Sequence, residues 1–222
     1  MKTKAIQLRE ALERINEDLL TLSDDIWLNI DHNDPDALER GVDFKKAFNA
    51  RQTAFAQAAQ GIIDILEKFT AAEPEPEPAA PGRQRGARER KIEELDRHQV
   101  HALQEDFSYK RPFGMKLEGE AYTNLRTWKA VYRQVFTHLS KKEATRFRRL
   151  DGCEAALSRR GNPYITRDKN LLRQSMPIGA DLYAEVNLSA NHIRDSIKRL
   201  LEAFSIPLSE ITLYLREDRD AD

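Results

Sequence analysis

The sequence predicts an α+β protein in which an N-terminal antiparallel helical hairpin, of the coiled-coil kind, is joined by a Pro/Glu linker to a small mixed α+β C-terminal domain. Three observations predict this class. Residues 8–69 carry apolar side chains at coiled-coil spacing, residues 71–91 contain an alternation of glutamate with proline, and residues 92–222 mix helical with strand periodicity. We therefore expect a hairpin at 1–70, a disordered linker at 71–91 and a folded domain from residue 92.

The first helix is predicted from one regular apolar stripe. Its positions alternate between steps of four and three residues, which is the 3.5-residue period of a coiled-coil seam. They are Leu8, Leu12, Ile15, Leu19, Leu22 and Ile26. After the stripe, Asp34 is expected to cap a second helix and Pro35 to take its first position, where the N–H that proline lacks would have no partner anyway.

The second helix is expected to run to about residue 69. Its apolar positions recur with similar spacing and are interrupted by Gln52. They are Phe48, Phe55, Ala59, Ile62, Leu66 and Phe69. Two helices rarely bury enough apolar surface to be stable alone, so we expect residues 1–70 to self-associate, as in a four-helix arrangement, or to dock on another protein. A net charge of −4 over this region disfavours nucleic acid as its partner.

The linker has two halves of different composition. Alternating glutamate and proline cannot form a helix and favours a stiff, extended spacer. Residues 83–91 then carry five basic residues and one acidic residue. This second half is either a solvated tail or a flexible basic arm that touches phosphate.

The C-terminal domain is expected to begin with a helix from about Arg88 to Glu105. A β-hairpin should follow at 113–123, because the apolar alternation breaks at Glu118-Gly119, a pair suited to a tight turn.

Two consecutive helices are predicted after this hairpin. Thr127 can cap the first helix. Ser140 and Glu143 form a capping-box signature for the second helix, which places Cys153 on its apolar side. The expected buried residues are Trp128, Val131, Val135 and Leu139 in the first helix, then Phe147, Leu150 and Leu157 in the second.

The remaining elements are a loop, a strand, a helix and a final strand. The loop at 159–170 is rich in turn residues and positive charge, and a short strand is expected at 181–187. The apolar positions are Ile193, Ile197, Leu200, Leu201 and Phe204 in the helix, then Ile211, Leu213 and Leu215 in the final strand. Asn187, Ser189 and Asn191 surround the start of the helix, where they either cap it or leave its free amides to an anion.

The charge distribution is the strongest indication of function. Between Lys110 and Ala180 there are sixteen basic and six acidic residues, a net charge of +10 in a chain whose total is −1. A field of this size attracts large anions. Nucleic acid is the commonest of these in a cell, although membrane surfaces and acidic proteins remain open.

The candidate nucleic-acid contacts fall into three basic elements. The spacing i, i+3, i+7 gives one face of the first helix, the spacing i, i+4, i+7 gives one face of the second, and the following loop adds a third set, with Tyr164 as a candidate stacking surface. They are Arg126, Lys129 and Arg133, then Lys142, Arg146 and Arg149, then Arg159, Arg160, Arg167 and Lys169. Each element alone also fits an ordinary solvated surface, but together they favour phosphate contacts.

Catalytic and metal-binding patterns are weak. His98 and His101 lack further ligands nearby, and Asp181 with Glu185 lacks the lysine that accompanies the carboxylates of many metal-dependent nucleases. The single cysteine, Cys153, excludes an intrachain disulfide and favours a reducing, cytoplasmic setting. No stretch approaches the roughly 18 apolar residues of a membrane span. We therefore expect no membrane partner and no cofactor.

The sequence thus favours a non-enzymatic nucleic-acid-binding protein, with duplex DNA preferred to RNA, that assembles through its N-terminal helices. The alternative is a protein-interaction adaptor, one subunit of a multi-component bacterial system, in which the hairpin docks on a larger partner. A nuclease is the third class.

Overall fold

The computed structural model describes residues 2–71, 91–95, 98–158 and 161–216. The Glu-Pro spacer and most of the basic arm, at 72–90, lie outside the described residues. Two compact units are present. One contains helices α1 (Lys2–Leu28) and α2 (Pro35–Ala71) together with Asn187–Ser189, and the other contains the helices and sheets of the C-terminal part. The predicted α+β class with an N-terminal helical hairpin is confirmed.

The hairpin has the predicted turn chemistry and direction. Asp34 Oδ1 accepts a hydrogen bond of 3.0 Å from the backbone N–H of Asp36, and α2 begins at Pro35. Lys45 Nζ donates to the carbonyl of Ser23 at 2.9 Å, and Gln52 Nε2 donates to Asn16 Oδ1 at 2.7 Å. Because residues further along α2 meet residues further back along α1, the two helices are antiparallel.

The contact between the helices includes buried polar side chains, and half of the apolar stripe predicted on α1 is exposed. Asn16 and Ser23 are buried where they meet α2, whereas Leu8 and Ile15 are each 48% exposed and Leu22 is 41% exposed. Leu8, Ile15 and Leu22 therefore face away from α2, whereas Leu12, Leu19 and Ile26 of the predicted seam are half-buried.

Gln52, which interrupts the apolar spacing of α2, belongs to a buried amide network. Besides its bond to Asn16, it exchanges hydrogen bonds of 2.7 and 3.2 Å with Asn187, which is grouped with the same unit. All three side chains are buried, and their amides satisfy one another as buried polar groups must. The side chain of Phe69 lies outside the described part of α2.

Among its described residues, the C-terminal unit contains two antiparallel sheets and, besides the helical backbone at 91–95, three α-helices. Its strands are β1 (Val100–His101), β2 (Pro112–Leu117), β3 (Glu120–Thr123), β4 (Ile165–Thr166), β5 (Ser175–Gly179), β6 (Leu182–Glu185) and β7 (Ile211–Leu215). Its helices are α3 (Trp128–Lys142), α4 (Ala144–Phe147) and α5 (Ala190–Ala203). One sheet has the order β1-β7-β2-β3 and the other the order β4-β6-β5.

Several predictions for this unit are confirmed. The strands β2 and β3 form the expected hairpin, and Glu118 (φ 47°) and Gly119 (φ 76°) have the positive φ angles of a type I′ turn. Thr127 Oγ1 caps α3 by accepting from the N–H of Ala130 at 3.2 Å. The expected stripes of α3 and α5 are fully buried, and α3 packs on α5, β2 and β5.

The helix expected from Arg88 to Glu105 is wrong from residue 98 onwards. Helical backbone is present at 91–95, while Arg88 lies outside the described residues. Val100 and His101 instead pair with β7, opposite Tyr214 and Leu213. This edge pairing satisfies backbone groups that a helix would have satisfied internally, and it suits the β-branched side chain of Val100.

The second helix predicted from the capping box is also wrong. Helix α3 continues through Ser140 because the N–H of Glu143 donates to the carbonyl of Leu139 at 3.0 Å, as in an unbroken helix. Ser140 Oγ donates to the carbonyl of Thr137 at 3.0 Å and caps nothing. Helix α4 is only four residues long. Cys153 consequently lies in a turn as a half-buried free thiol, and not on a helical face.

Besides β1, two strands lie outside the predicted ones. The short β4 lies inside the expected loop, and β5 contains Pro177, a residue that disfavours strands. Proline is tolerated there because β5 is at an edge of its sheet, where one row of N–H groups has no ladder partner.

Candidate nucleic-acid interface

The first predicted basic face is not a single helical face. Lys129 and Arg133 belong to α3, but Arg126 precedes the capping residue Thr127 and so lies before the helix begins. Arg133 Nε donates to Met176 Sδ at 3.3 Å, which directs its guanidinium towards β5.

Lys142 ends α3 and is engaged by a carboxylate. Its ammonium group forms an ion pair with Glu118, in the turn between β2 and β3. The second oxygen of Glu118 lies 2.9 Å from His138 Nε2, and His138 Nδ1 lies 2.9 Å from the hydroxyl of Tyr122. The hydrogen bond with His138, and then that with Lys142, hold the pKa of Glu118 below its usual value. The charge of Lys142 is therefore offset within this network.

The second predicted basic face is divided between α4 and the turn that follows it. Arg146 is in α4, where its guanidinium lies 5.5 Å from the ring centroid of Phe204 and 3.5 Å from Glu143 Oε2. Arg149 comes after the end of α4 and is exposed. Since Lys142 belongs to α3, the three cations do not share one helix, and the predicted i, i+4, i+7 face is wrong.

Arg167 joins this turn to the loop that follows β4. Its Nη2 donates to the carbonyl of Arg148 at 2.9 Å, its Nη1 donates to the carbonyl of Ala180 at 3.3 Å, and its Nε lies 3.8 Å from Asp151 Oδ2. The segment with Arg146 and the loop with Arg167 are therefore side by side. Two of the three basic elements predicted from the sequence converge.

We name the resulting surface the arginine cluster. It consists of Arg146, Arg148, Arg149, Arg167 and Lys169. Within the part of the chain that the structure describes, no side-chain partner is found for Arg148, Arg149 or Lys169, and all three residues are exposed. Nearby Asp168 is occupied, because its Oδ1 accepts from the backbone N–H and the side chain of Asn170 at 2.9 and 3.0 Å. The charges of Arg148, Arg149 and Lys169 are thus available to an anion.

The loop before β4 is described only in part. Arg159 and Arg160 lie outside the described residues. The expected tight turn is present beside them, since the N–H of Gly161 donates to the carbonyl of Ser158 at 2.9 Å and Gly161 has φ 77°. One face of the Tyr164 ring is covered by the guanidinium of Arg199, whose Cζ lies 5.4 Å from the ring centroid. That face cannot also stack on a base.

No family model, curated protein or solved structure matches this chain.

Arg148 is the member of the cluster that the sequence interpretation missed. Helical spacing was used to select cations, and Arg148 falls off the expected face. The signal was present in the run RFRRL, in which three arginines surround one buried phenylalanine, Phe147. Any short helix that buries Phe147 must leave most of its arginine neighbours in solvent.

The carboxylates considered for a nuclease do not converge. Asp181 is exposed in the turn before β6, whereas buried Glu185 ends that strand and accepts from the backbone N–H groups of Arg173 (2.7 Å) and Gln174 (3.2 Å). Four residues of extended strand separate Asp181 from Glu185 by about 13 Å. Among the described residues, no three side chains of His, Cys, Asp or Glu are grouped as metal ligands, and no helix is long and apolar enough to cross a membrane.

Asn191, near the start of α5, is bonded to the loop at 106–108. Asn191 Oδ1 accepts from the N–H of Phe107 at 3.0 Å, and its Nδ2 donates to Asp106 at 2.8 Å and to Ser108 at 3.0 Å. The hydrogen bond from Asn191, followed by those from Ser108, lowers the pKa of Asp106 to about 2. Asn191 therefore holds the preceding loop in place.

Proposed function

We propose that the protein binds nucleic acid, with duplex DNA as the preferred form, through the arginine cluster, and that it does so without catalysing a reaction. The contact of Arg167 with the carbonyl of Arg148 carries this proposal, because it brings two cationic segments into one surface. A chain with one free cysteine suits a reducing environment, and this supports a cytoplasmic location for the proposed function.

The cluster contains some cations that contacts within the protein hold in place and others that are free to turn towards phosphate. Arg146 is held over Phe204, and Arg167 is held by two backbone carbonyls. Arg148 and Arg149 are exposed and can turn towards phosphate oxygens, which the planar guanidinium contacts in pairs. Because Arg146 and Arg167 are already held in place, less conformational entropy is lost when the cluster binds an anion.

Phosphate contacts of this kind predict a steep dependence on salt. Each phosphate that a cation neutralises on duplex DNA contributes about −0.9 to the slope of log affinity against log salt concentration. The exposed cations Arg148, Arg149 and Lys169 therefore predict a slope of about −3, and more if Arg146 and Arg167 also reach phosphate.

The test compares two charge reversals of equal size in the full chain. Arg148→Glu with Arg149→Glu reverses the cluster, and Lys46→Glu with Arg51→Glu reverses two exposed cations of α2. We expect the first pair to weaken binding to duplex DNA more than tenfold and the second pair to leave it within about twofold. Circular dichroism checks that both variants keep their secondary structure. Equal effects of the two pairs would show a general response to net charge, and unchanged binding in the first pair would refute the interface.

The adaptor function is the second candidate, and exposed apolar residues of the hairpin favour it. Leu28 is 75% exposed and Ile65 is 69% exposed. Large apolar side chains left in solvent are typical of surfaces that meet another protein. A partner that co-purifies at fixed stoichiometry, together with no affinity for DNA, would favour this function over the first.

A further inference from the structure

Helix α1 presents an exposed line of large aliphatic residues. Leu8, Ile15 and Leu22 are between 41% and 48% exposed and are spaced by seven residues. Seven residues are close to two helical turns, so the three side chains lie along one side of the helix. Half-buried Leu12 and Leu19 lie next to this line. We name the line of Leu8, Ile15 and Leu22 the α1 stripe.

Charged residues run along one border of the α1 stripe. Lys4, Asp18 and Asp25 are separated by multiples of seven residues, so they also lie on one line. The basic residue is near the N-terminal end and the acidic residues are near the C-terminal end. This order opposes the helix dipole, and α1 has no acidic residue in its first turn and no basic residue in its last turn. The order of these charges therefore does not complement the dipole of α1.

We propose that the α1 stripe packs against the same stripe of a second copy of the chain, with the two α1 helices antiparallel. A helix with opposite charges at its two ends is complementary to itself only in this direction. Lys4 then lies near Asp25 of the second copy at both ends of the contact, because the two charged borders share one side of an antiparallel pair, whereas a parallel pair would put them on opposite sides. The apolar spacing is that of a seam between two long helices.

The contact has two-fold symmetry, and this fixes which residues meet. Ile15 is midway between Leu8 and Leu22 and lies close to the axis, so Leu8 faces Leu22 of the second copy. The ion pair of Lys45 with Asp24, at 3.4 Å, belongs to the hairpin and is separate from this surface. The dimer goes beyond the proposed binding of nucleic acid, because it depends on α1 alone. If both hold, the dimer presents two arginine clusters to one duplex and raises avidity.

The first test measures the mass of the full chain in solution by light scattering. The wild-type protein is expected at twice the chain mass of 25.6 kDa, and Ile15→Asp is expected at the single mass. Ile65→Asp, which places the same substitution at an exposed position of α2, should remain dimeric. A monomeric wild type, or dissociation by Ile65→Asp and not by Ile15→Asp, would overturn the proposal.

The second test determines direction by disulfide cross-linking in a Cys153→Ser background. Leu8 and Leu22 are fourteen residues apart, or about 21 Å along a helix, whereas a disulfide joins Cα atoms within about 7 Å. An antiparallel dimer predicts a cross-link when Leu8→Cys and Leu22→Cys proteins are mixed, and none in either protein alone. Cross-links in each protein alone would show a parallel pair, and no cross-link in any sample would refute packing through the stripe. Both substitutions replace exposed side chains, so the fold of the monomer is retained.

Discussion

Arg167 donates a hydrogen bond of 2.9 Å to the backbone carbonyl of Arg148, from which it is separated by 19 residues along the chain. The same guanidinium contacts Asp151 and the carbonyl of Ala180. The side chain of Arg167 thus contacts three segments of the chain. Two of these segments carry the cations of the arginine cluster. The geometry of the candidate interface depends on this residue.

Replacement of Arg167 by lysine should separate its charge from its structural role. Lysine keeps the positive charge but has no planar fork with which to reach two carbonyls at once. We expect Arg167→Lys to lower the free energy of unfolding by about 1 kcal/mol and to weaken DNA binding. Arg149→Lys, at an exposed position without a described side-chain partner, should leave stability unchanged. If urea denaturation gave both variants the same free energy of unfolding, the proposed role of Arg167 in holding these segments together would be contradicted.

The cap of α3 makes a second prediction. Thr127 is 2% exposed and its hydroxyl accepts from the N–H of Ala130. Thr127→Ala should therefore lower the free energy of unfolding by about 1 kcal/mol. The matched control is Thr137→Ala, inside the same helix, where the hydroxyl only donates to the carbonyl of Arg133 and the expected change is within about 0.5 kcal/mol. A larger effect at Thr137 would argue against the cap.

Two glycines predict opposite effects of the same substitution. A Cβ at Gly114 would lie 2.5 Å from the backbone oxygen of Tyr122 and 2.5 Å from Leu95 Cδ2, so strands β2 and β3 would have to separate. Gly114→Ala should cost about 1–3 kcal/mol of stability. Gly61, inside α2, has nothing within 4 Å of its Cβ position, and Gly61→Ala should stabilise that helix by about 0.5–1 kcal/mol. Thermal unfolding followed by circular dichroism measures both, and a neutral Gly114→Ala would contradict the pairing.

The lowered pKa of Asp106 predicts that the stability of the protein depends on pH. Its pKa is about 2 in the folded protein, whereas the pKa of an aspartate in an unfolded chain is ~3.9. A lowered pKa contributes stability that is complete above the unfolded value and is lost as the pH falls towards the folded value. The difference in free energy of unfolding between wild type and Asp106→Asn should therefore shrink as the pH falls from 4 to 2. A difference that is constant over this window would contradict the role of Asn191 and Ser108 as its partners.

The sequence predicted elements best where burial alone decides the structure. The stripe that begins at Trp128 and the stripe around Ile197 are both fully buried. A helix with one strongly apolar face is removed from water only when that face packs on the core. The turn at Glu118-Gly119 was equally readable, since few residue pairs accept two positive φ angles in succession.

Elements that depend on distant partners were not predicted. Val100 forms a strand only because β7 lies beside it, and Ser140 lost its role as a cap because α3 continues for two more residues. The interruption of α2 by Gln52 was visible, but its cause is an amide from α1 and another from Asn187. Local patterns carry no information on such contacts.

The same limit applies to the candidate interface. Spacing along a helix grouped Lys142 with Arg146 and Arg149, yet Lys142 is bound by Glu118 of another element. Cations are brought together by the hydrogen bond from Arg167 to the carbonyl of Arg148. Spacing along a helix could not indicate this contact. The acid that pairs with a basic residue can come from elsewhere in the chain, so helical spacing alone does not indicate which cations stay unpaired.

Contact between the arginine cluster and phosphate can be tested directly. The most direct measurement is the fluorescence anisotropy of labelled duplex DNA, titrated with the full chain over a series of salt concentrations. If the cluster contacts phosphate, the slope of log affinity against log salt concentration should be about −3 or steeper, and its magnitude should fall by about 2 in the chain with Arg148→Glu and Arg149→Glu. No binding at low salt, or a slope that is the same in both proteins, would contradict this contact.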